Sequence, residues 1–166
     1  MSSAPSVIAY VGLGSNLENP TQQVETALQE LAAIKRSTLL ACSSLYRTRP
    51  IGPQNQPNYI NAVASLTTTL DAEELLDRLQ AIEQTHRRVR GGERWGPRTL
   101  DLDLLMYGEA MIDTPRLRIP HPEMAGRAFV LLPLSEIVSI DMDIPGMGKL
   151  QDLLLALSGE GVERLD

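Results

Sequence analysis

The sequence predicts an α+β fold: a ferredoxin-like β-α-β-β-α-β core whose antiparallel sheet is covered by helices on both faces, giving three layers. Three observations carry this. Apolar residues switch between the two-residue period of strands and the 3.6-residue period of helices in that order. Helix-start signatures stand at Asn19-Pro20 and at Asp71 with Glu74. No repeat, linker or low-complexity stretch divides the 166 residues, so residues 1–166 read as one domain.

Val7–Leu13 is apolar and partly β-branched, and reads as a buried strand. Gly12-Leu13-Gly14 at its end reads as a turn into the first helix. Asn19 offers a side-chain cap and Pro20 a pre-set φ, and Val24, Ala27, Leu28, Leu31 and Ile34 recur at helical spacing, so helix one spans about Pro20–Ile34. Thr38–Tyr46 reads as a second strand. Arg47–Asn58, with Pro50, Gly52, Pro53 and Pro57, is a stiff loop. Tyr59–Thr68 alternates again and is the third strand. Asp71 and Glu74 form a capping box for a helix that runs to about Arg87, with Leu75, Leu76, Leu79 and Ile82 on its apolar face. Arg88–Arg98 is a loop, Thr99–Tyr107 a strand, and Gly108-Glu109 a hairpin turn into Ala110–Ile112. Met124–Val138 is read as a helix interrupted by Pro133, and Leu150–Leu157 as a short helix.

Composition narrows the function classes. The net charge of −6 argues against broad binding to nucleic acid or anionic membranes. No apolar run approaches the roughly 20 residues of a membrane span. Met1–Ser6 carries neither a charged nor an apolar leader. The single cysteine, Cys42, cannot close an internal disulfide and suits a reducing compartment. A cytoplasmic location is therefore expected; a monomer acting on small molecules is also expected.

Two features carry chemistry. In the strand Thr99–Tyr107, leucines 100, 102 and 104 share one face, so Thr99, Asp101 and Asp103 share the other. The two Asp Cα atoms would lie about 6.5–7 Å apart. From there both carboxylates can converge on metal ions about 3.5–4 Å apart. Asp is depleted in strands, and two on one face repel unless cations sit between them. A solvated polar face also fits the pair alone. Directly upstream, Arg87, Arg88, Arg90, Arg94 and Arg98 concentrate positive charge in an acidic chain. Arginine's planar fork suits phosphate. Gly91-Gly92 gives the segment the freedom of a closing lid, and Trp95 offers an apolar surface within it. Cationic arms followed by paired carboxylates suit an Mg²⁺-polyphosphate.

Other motifs are weaker. The chain has no G-x-x-x-x-G-K-[ST], and Gly12-Leu13-Gly14 is too short for a dinucleotide fingerprint. His121 is held rigidly between Pro120 and Pro122, with no adjacent nucleophile that would make a triad. Gln80 and Glu83 share a helix face near the basic loop. Tyr59 and Phe129 can stack on a flat heterocycle or simply fill the core.

The run Arg94-Trp95-Gly96-Pro97-Arg98-Thr99-Leu100-Asp101-Leu102-Asp103 resembles the signature of the 6-hydroxymethyl-7,8-dihydropterin pyrophosphokinase family of folate biosynthesis. Gly14-Ser15-Asn16, Ser44-Leu45-Tyr46-Arg47-Thr48, Gly52-Pro53-Gln54, Pro57-Asn58-Tyr59 and Pro120-His121-Pro122 resemble family segments in the family order, over about residues 7–138. The resemblance implies transfer of pyrophosphate from ATP to the pterin hydroxymethyl group, with release of AMP and two Mg²⁺ ions as cofactors. It implies that Asp101 and Asp103 hold the ions and that Arg88, Arg90 and Arg98 face the phosphates. Gln80, Glu83, Arg90, Trp95, Arg98, Leu104, Arg116, His121 and Arg127 would bind ATP. Thr48, Tyr59, Asn61, Trp95 and Phe129 would bind the pterin. Two alternatives share single features. A D-x-D nucleotidyl or glycosyl transferase would share the carboxylates. A ferredoxin-like RNA-binding module would use the arginine loop, against which stand the 4% aromatic content and the negative charge.

Overall fold

Strand β1 (Val7–Ser15) is the spine of the sheet. A computed structural model describes residues 5–16, 19–49, 58–89, 100–158 and 161–165, with their side chains except those of 87–89. β1 pairs antiparallel with β4 (Tyr59–Thr68) on one side and with β5 (Asp101–Tyr107) on the other. β2 (Ser37–Cys42) and β3 (Tyr46–Thr48) lie one after the other along the far side of β4, and β10 (Val162–Arg164) closes beyond β3. Every pairing is antiparallel, in the order β10-β3-β4-β1-β5 with β2 on β4. The chain is thus a mixed α and β fold with four helices among the described residues.

The stretch expected as one strand, Thr38–Tyr46, is two because Ser43 interrupts the ladder. The Ser43 hydroxyl accepts the Val63 N–H at 3.0 Å, and the Ser43 N–H donates to the Val63 carbonyl at 2.8 Å. Gly12-Leu13-Gly14 is not a turn: all three residues lie inside β1. Ala110–Ile112 does not fold back on β5 either. β6 (Ile112–Asp113) pairs instead with β7 (Arg118–Ile119).

Helix α1 (Pro20–Ala32) starts without the expected side-chain cap. Asn19 takes a left-handed φ of 60°, a conformation Asn tolerates, and its carbonyl accepts the Gln23 N–H at 3.0 Å. Helix α2 (Ala72–Val89) has the expected capping box. The Asp71 N–H donates to Glu74 at 3.0 Å and the Glu74 N–H to Asp71 at 2.8 Å. The region from Met124 is not one helix. A 3-10 turn at Met124–Gly126 is followed by extended Arg127, then by α3 (Ala128–Ile137), which contains Pro133. β8 (Asp143–Ile144) and β9 (Gly148–Lys149) form a small ladder before α4 (Leu150–Leu155).

Strand alternation divides the core in two. Ala9, Val11 and Leu13 of β1, Ala62, Ala64 and Leu66 of β4, and Leu102 and Leu104 of β5 pack with Val24 and Leu31 of α1 and with Leu75 and Leu79 of α2. Tyr10 and Val63 point the other way and pack with Leu131 and Leu134 of α3 and Leu150 of α4. β5 contributes Leu105 and Met106 to this second cluster through a β-bulge. Val11 pairs with Leu104 and Tyr10 with Met106, so Leu105 is the extra residue. Among the described residues no helix is long and apolar enough to cross a membrane.

A polar clasp ties α3 to the sheet. Glu136 accepts the Ser44 N–H at 3.0 Å and the Tyr46 hydroxyl. Burial, then the Glu136 hydrogen bond and charge, push the Tyr46 phenol up to about 12. Burial pushes the Glu136 carboxyl up, but the Tyr46 hydroxyl and Ser44 outweigh it and hold it below its ordinary value. A depressed carboxyl adds stability above its unfolded pKa of about 4.3, lost as pH falls through the folded value. A raised phenol adds stability below about 10, lost as pH rises toward 12. Thermal unfolding against pH is therefore expected to flatten at the acid end in Glu136→Gln and at the alkaline end in Tyr46→Phe. Curves parallel to wild type would remove the clasp from the stability balance.

Candidate active site

Asp101 and Asp103 stand on β5 as the alternation requires. Their neighbours Leu100, Leu102 and Leu104 are buried in the first core cluster, and both carboxylates are half-buried on the opposite face. Directly across the ladder, Asp101 pairs with Gly14 and Asp103 with Gly12. Residues paired across antiparallel strands point to the same side. The two glycines therefore put no side chain of their own beside the carboxylates. Their signal was in the sequence, but only the register reveals it.

The same face carries the next strands. Gly14 also pairs with Asn61 of β4, Asn61 with Tyr46 of β3, and Thr48 with Tyr59. The Thr48 hydroxyl donates to Asn61 Oδ1 at 2.7 Å. Thr48, Tyr59, Asn61 and Phe129, four of the five expected pterin contacts, line one cavity of about 870 Å³ together with Asp101 and Asp103. That is within the range of small-molecule sites. Phe129 sits at the start of α3, and the Arg127 guanidinium lies 5.5 Å from its ring centroid.

A second, smaller cavity of about 260 Å³ lies around the outer edge of β5. Gln80, Glu83, Leu104, Arg116 and His121 line it, and Asp103 lines both cavities. Two contacts fix this edge. Glu83 accepts the Leu102 N–H at 2.8 Å, and the His121 N–H donates to the Leu105 carbonyl at 2.9 Å. Both satisfy groups of an edge strand that would otherwise be unpaired. A third, more open hollow joins Asp101, Asp103, His121 and Arg127. Asp103 thus sits where the two expected substrate sets meet, with Asp101 beside it in the larger cavity.

The arginines are already engaged. Arg116 pairs with Glu73 at 3.1 Å and with Asp77, and contacts Gln80 at 3.2 Å. The hydrogen bonds to Asp77, then to Glu73, raise its pKa. Arg127 pairs with Glu123. A polyphosphate would exchange these exposed carboxylates for its own oxygens, at modest cost since exposed ion pairs are weak. Arg90, Trp95 and Arg98 lie outside the described residues, as does the Arg88 side chain.

Among the described residues no three of His, Cys, Asp and Glu gather into a metal cage. Two carboxylates facing an open cavity still fit Mg²⁺. It is a hard cation that is usually held by one or two carboxylates, waters and substrate phosphates. Sequence reasoning missed several lining residues: Gly12 and Gly14, and at the C-terminal end Ser158, Gly161 and Val162.

Gly14 also supports a prediction. A Cβ there would come within 2.9 Å of Asn61 Nδ2, too close without movement. Asn61 is 7% exposed and bonded to Thr48, so it has little room to give. Gly14→Ala is expected to raise the pterin KM by about tenfold, the scale of one lost hydrogen bond, with a much smaller change for ATP. Equal effects on both substrates in steady-state kinetics would refute this local account.

The family model for 7,8-dihydro-6-hydroxymethylpterin-pyrophosphokinase matches residues 10–139. The chain is 49% identical over 156 residues to the 2-amino-4-hydroxy-6-hydroxymethyldihydropteridine pyrophosphokinase of Pseudomonas aeruginosa, covering 94% of this chain and 95% of that one. It is 46% identical over 148 residues to the same-named protein of Haemophilus influenzae, covering 89% and 91%. Its fold resembles that of the Plasmodium falciparum HPPK-DHPS crystal structure, with a TM-score of 0.71 at 16% identity. That match covers 91% of this chain and 45% of the longer one, so this chain spans under half its length. By the family match and these identities, the chain belongs to the 7,8-dihydro-6-hydroxymethylpterin-pyrophosphokinase family.

Proposed function

We propose that the chain transfers pyrophosphate from ATP to the hydroxymethyl oxygen of 6-hydroxymethyl-7,8-dihydropterin, in folate biosynthesis, with the pterin in the larger cavity and ATP along the β5 edge. The observation that carries the assignment of sites is the position of Asp103, in the walls of both cavities. The hydroxymethyl oxygen attacks the β-phosphorus. The bond from that phosphorus to the oxygen bridging the α-phosphate breaks, and AMP leaves with the bridging oxygen. The hydroxyl proton passes to solvent or phosphate.

Asp101 and Asp103 would hold two Mg²⁺ ions. When bound, these neutralise phosphate charge as it shifts toward the leaving oxygen. The residues of this chain do the positioning. Tyr59 and Phe129 sandwich the pterin plane, and Asn61, held by Thr48, meets its polar edge. Arg116, His121 and Arg127 take phosphate oxygens or ribose, and Gln80, Glu83 and Leu104 line the rest of the nucleotide site. Arg88, Arg90 and Arg98, with Trp95, complete the phosphate side from the basic segment. Loose phosphoryl transfer asks for alignment and charge neutralisation more than for a strong base.

The sheet order and the apolar clusters on its two faces support reading the fold as a ferredoxin-like core in three layers. Residues 1–166 are read as one domain acting as a cytoplasmic monomer. The test is product analysis with and without pterin and Mg²⁺. AMP and pterin diphosphate are expected in equal amounts, and only with both present. ADP or free pyrophosphate as the main product would overturn the reading.

A further inference from the structure

We propose that the C-terminal strand β10 belongs to the substrate site, with Val162 forming the outer wall of the larger cavity and setting the size of heterocycle it accepts. This rests on the reading of that cavity as the pterin site.

The argument is one of register. Val162 pairs with Thr48, and Thr48 pairs with Tyr59. These three residues form one row across β10, β3 and β4 and so share one face. Five strands wide, the next row runs Arg164, Tyr46, Asn61, Gly14 and ends on Asp101 of β5. Val162 therefore stands on the same face as the pterin contacts and the carboxylates, and with Gly161 and Ser158 it lines the cavity.

The strand is pinned along its length. The Arg49 N–H donates to the Gly161 carbonyl at 3.0 Å, and the Leu165 N–H to the Leu45 carbonyl at 2.8 Å. Glu163 pairs with Arg47 at 3.1 Å, and Arg164 Nε donates to the Ser44 hydroxyl at 3.2 Å. A slip of one residue would turn Val162 to the opposite face, so these contacts specify the wall as well as the edge. β3 has only three residues, Tyr46–Thr48, and β10 covers what would be its open edge. Gly161 has a φ of +83°, which a side chain there would strain, so the turn into the strand favours glycine. A branched apolar side chain offers the ligand shape and no hydrogen bond. Its effect should fall on which heterocycle fits and leave phosphate chemistry alone.

The test is Val162→Phe in the full chain, assayed against both substrates. The pterin KM is expected to rise by about tenfold or more, with kcat at saturation within about threefold and the affinity for a non-hydrolysable ATP analogue unchanged. An unchanged pterin KM would overturn the proposal. Phe129→Ala, run beside it, separates the two readings. If that variant raises the pterin KM and Val162→Phe does not, only the wall is lost. If neither does, the pterin cavity is lost with it. Should Val162→Phe fail to fold, alkylation decides. In a Cys42→Ser background, iodoacetamide should modify Val162→Cys at least about fivefold more slowly with pterin plus the ATP analogue than with the analogue alone. Equal rates would overturn the proposal.

Discussion

Asp101→Ala and Asp103→Ala are each expected to lower kcat/KM by about 10³-fold or more, a loss of at least about 4 kcal/mol of transition-state stabilisation. The two carboxylates share a face, sit opposite glycines and both line the larger cavity, and Asp103 lines the smaller one too. On the proposed metal assignment, losing either would leave a cation with one protein ligand and the phosphate charge uncompensated. The fold should not suffer. Both side chains are half-buried and point away from the leucines of the first core cluster. Removing one of two neighbouring like charges also relieves repulsion. Thermal unfolding should therefore match wild type or rise slightly. Near-normal turnover in either variant would sink the metal assignment, and a large drop in unfolding temperature would make the pair structural.

Leu131→Ala is expected to do the reverse. Leu131 is fully buried in α3, in the cluster with Met106, Met124 and Leu134. Truncating such a leucine costs about 2–5 kcal/mol through lost burial and the cavity left behind. For a chain of this size that lowers the unfolding midpoint by about 4–20 °C. Well below the midpoint, kcat should stay within about threefold, because no Leu131 atom is asked to touch substrate. The pterin KM can rise slightly, since the Leu131 N–H bonds the Arg127 carbonyl at 3.0 Å and α3 carries Phe129. A loss under about 1 kcal/mol in denaturant unfolding would contradict the packing described. The carboxylate and Leu131 variants together separate chemistry from architecture: Asp103 and the Met106 of Leu131's cluster stand three residues apart on β5.

Much of the molecule was legible in the sequence because local rules decided it. The period-two alternation of β1, β4 and β5 and the helical stripes of α1 and α2 each follow from burying one face, and all are present. The capping box at Asp71 is a contact within four residues and formed as read. The placing of Asp101 and Asp103 together on one face followed from their spacing alone. Thr48, Tyr59, Asn61 and Phe129 line the larger cavity and Gln80, Glu83, Leu104, Arg116 and His121 the smaller, while Arg127 lines the larger one and the basic segment lies outside the described residues.

Only the tertiary structure decided the rest, and in each instance because the deciding partner is remote in sequence. Gly12 and Gly14 read locally as a turn. Pairing with β5, about ninety positions away, keeps them in the strand and opposite the carboxylates. Thr38–Tyr46 read as one strand, until the Val63 backbone met the Ser43 side chain. Residues 162–164 are too few to announce a strand, yet β3 offers them an edge and the fold brings Val162 to the site. The sequence by itself determined which residues are apolar on which period, and which carboxylates and arginines are present to meet a polyphosphate. Long-range pairing determined the register, and the register decides which side chains share a face with them.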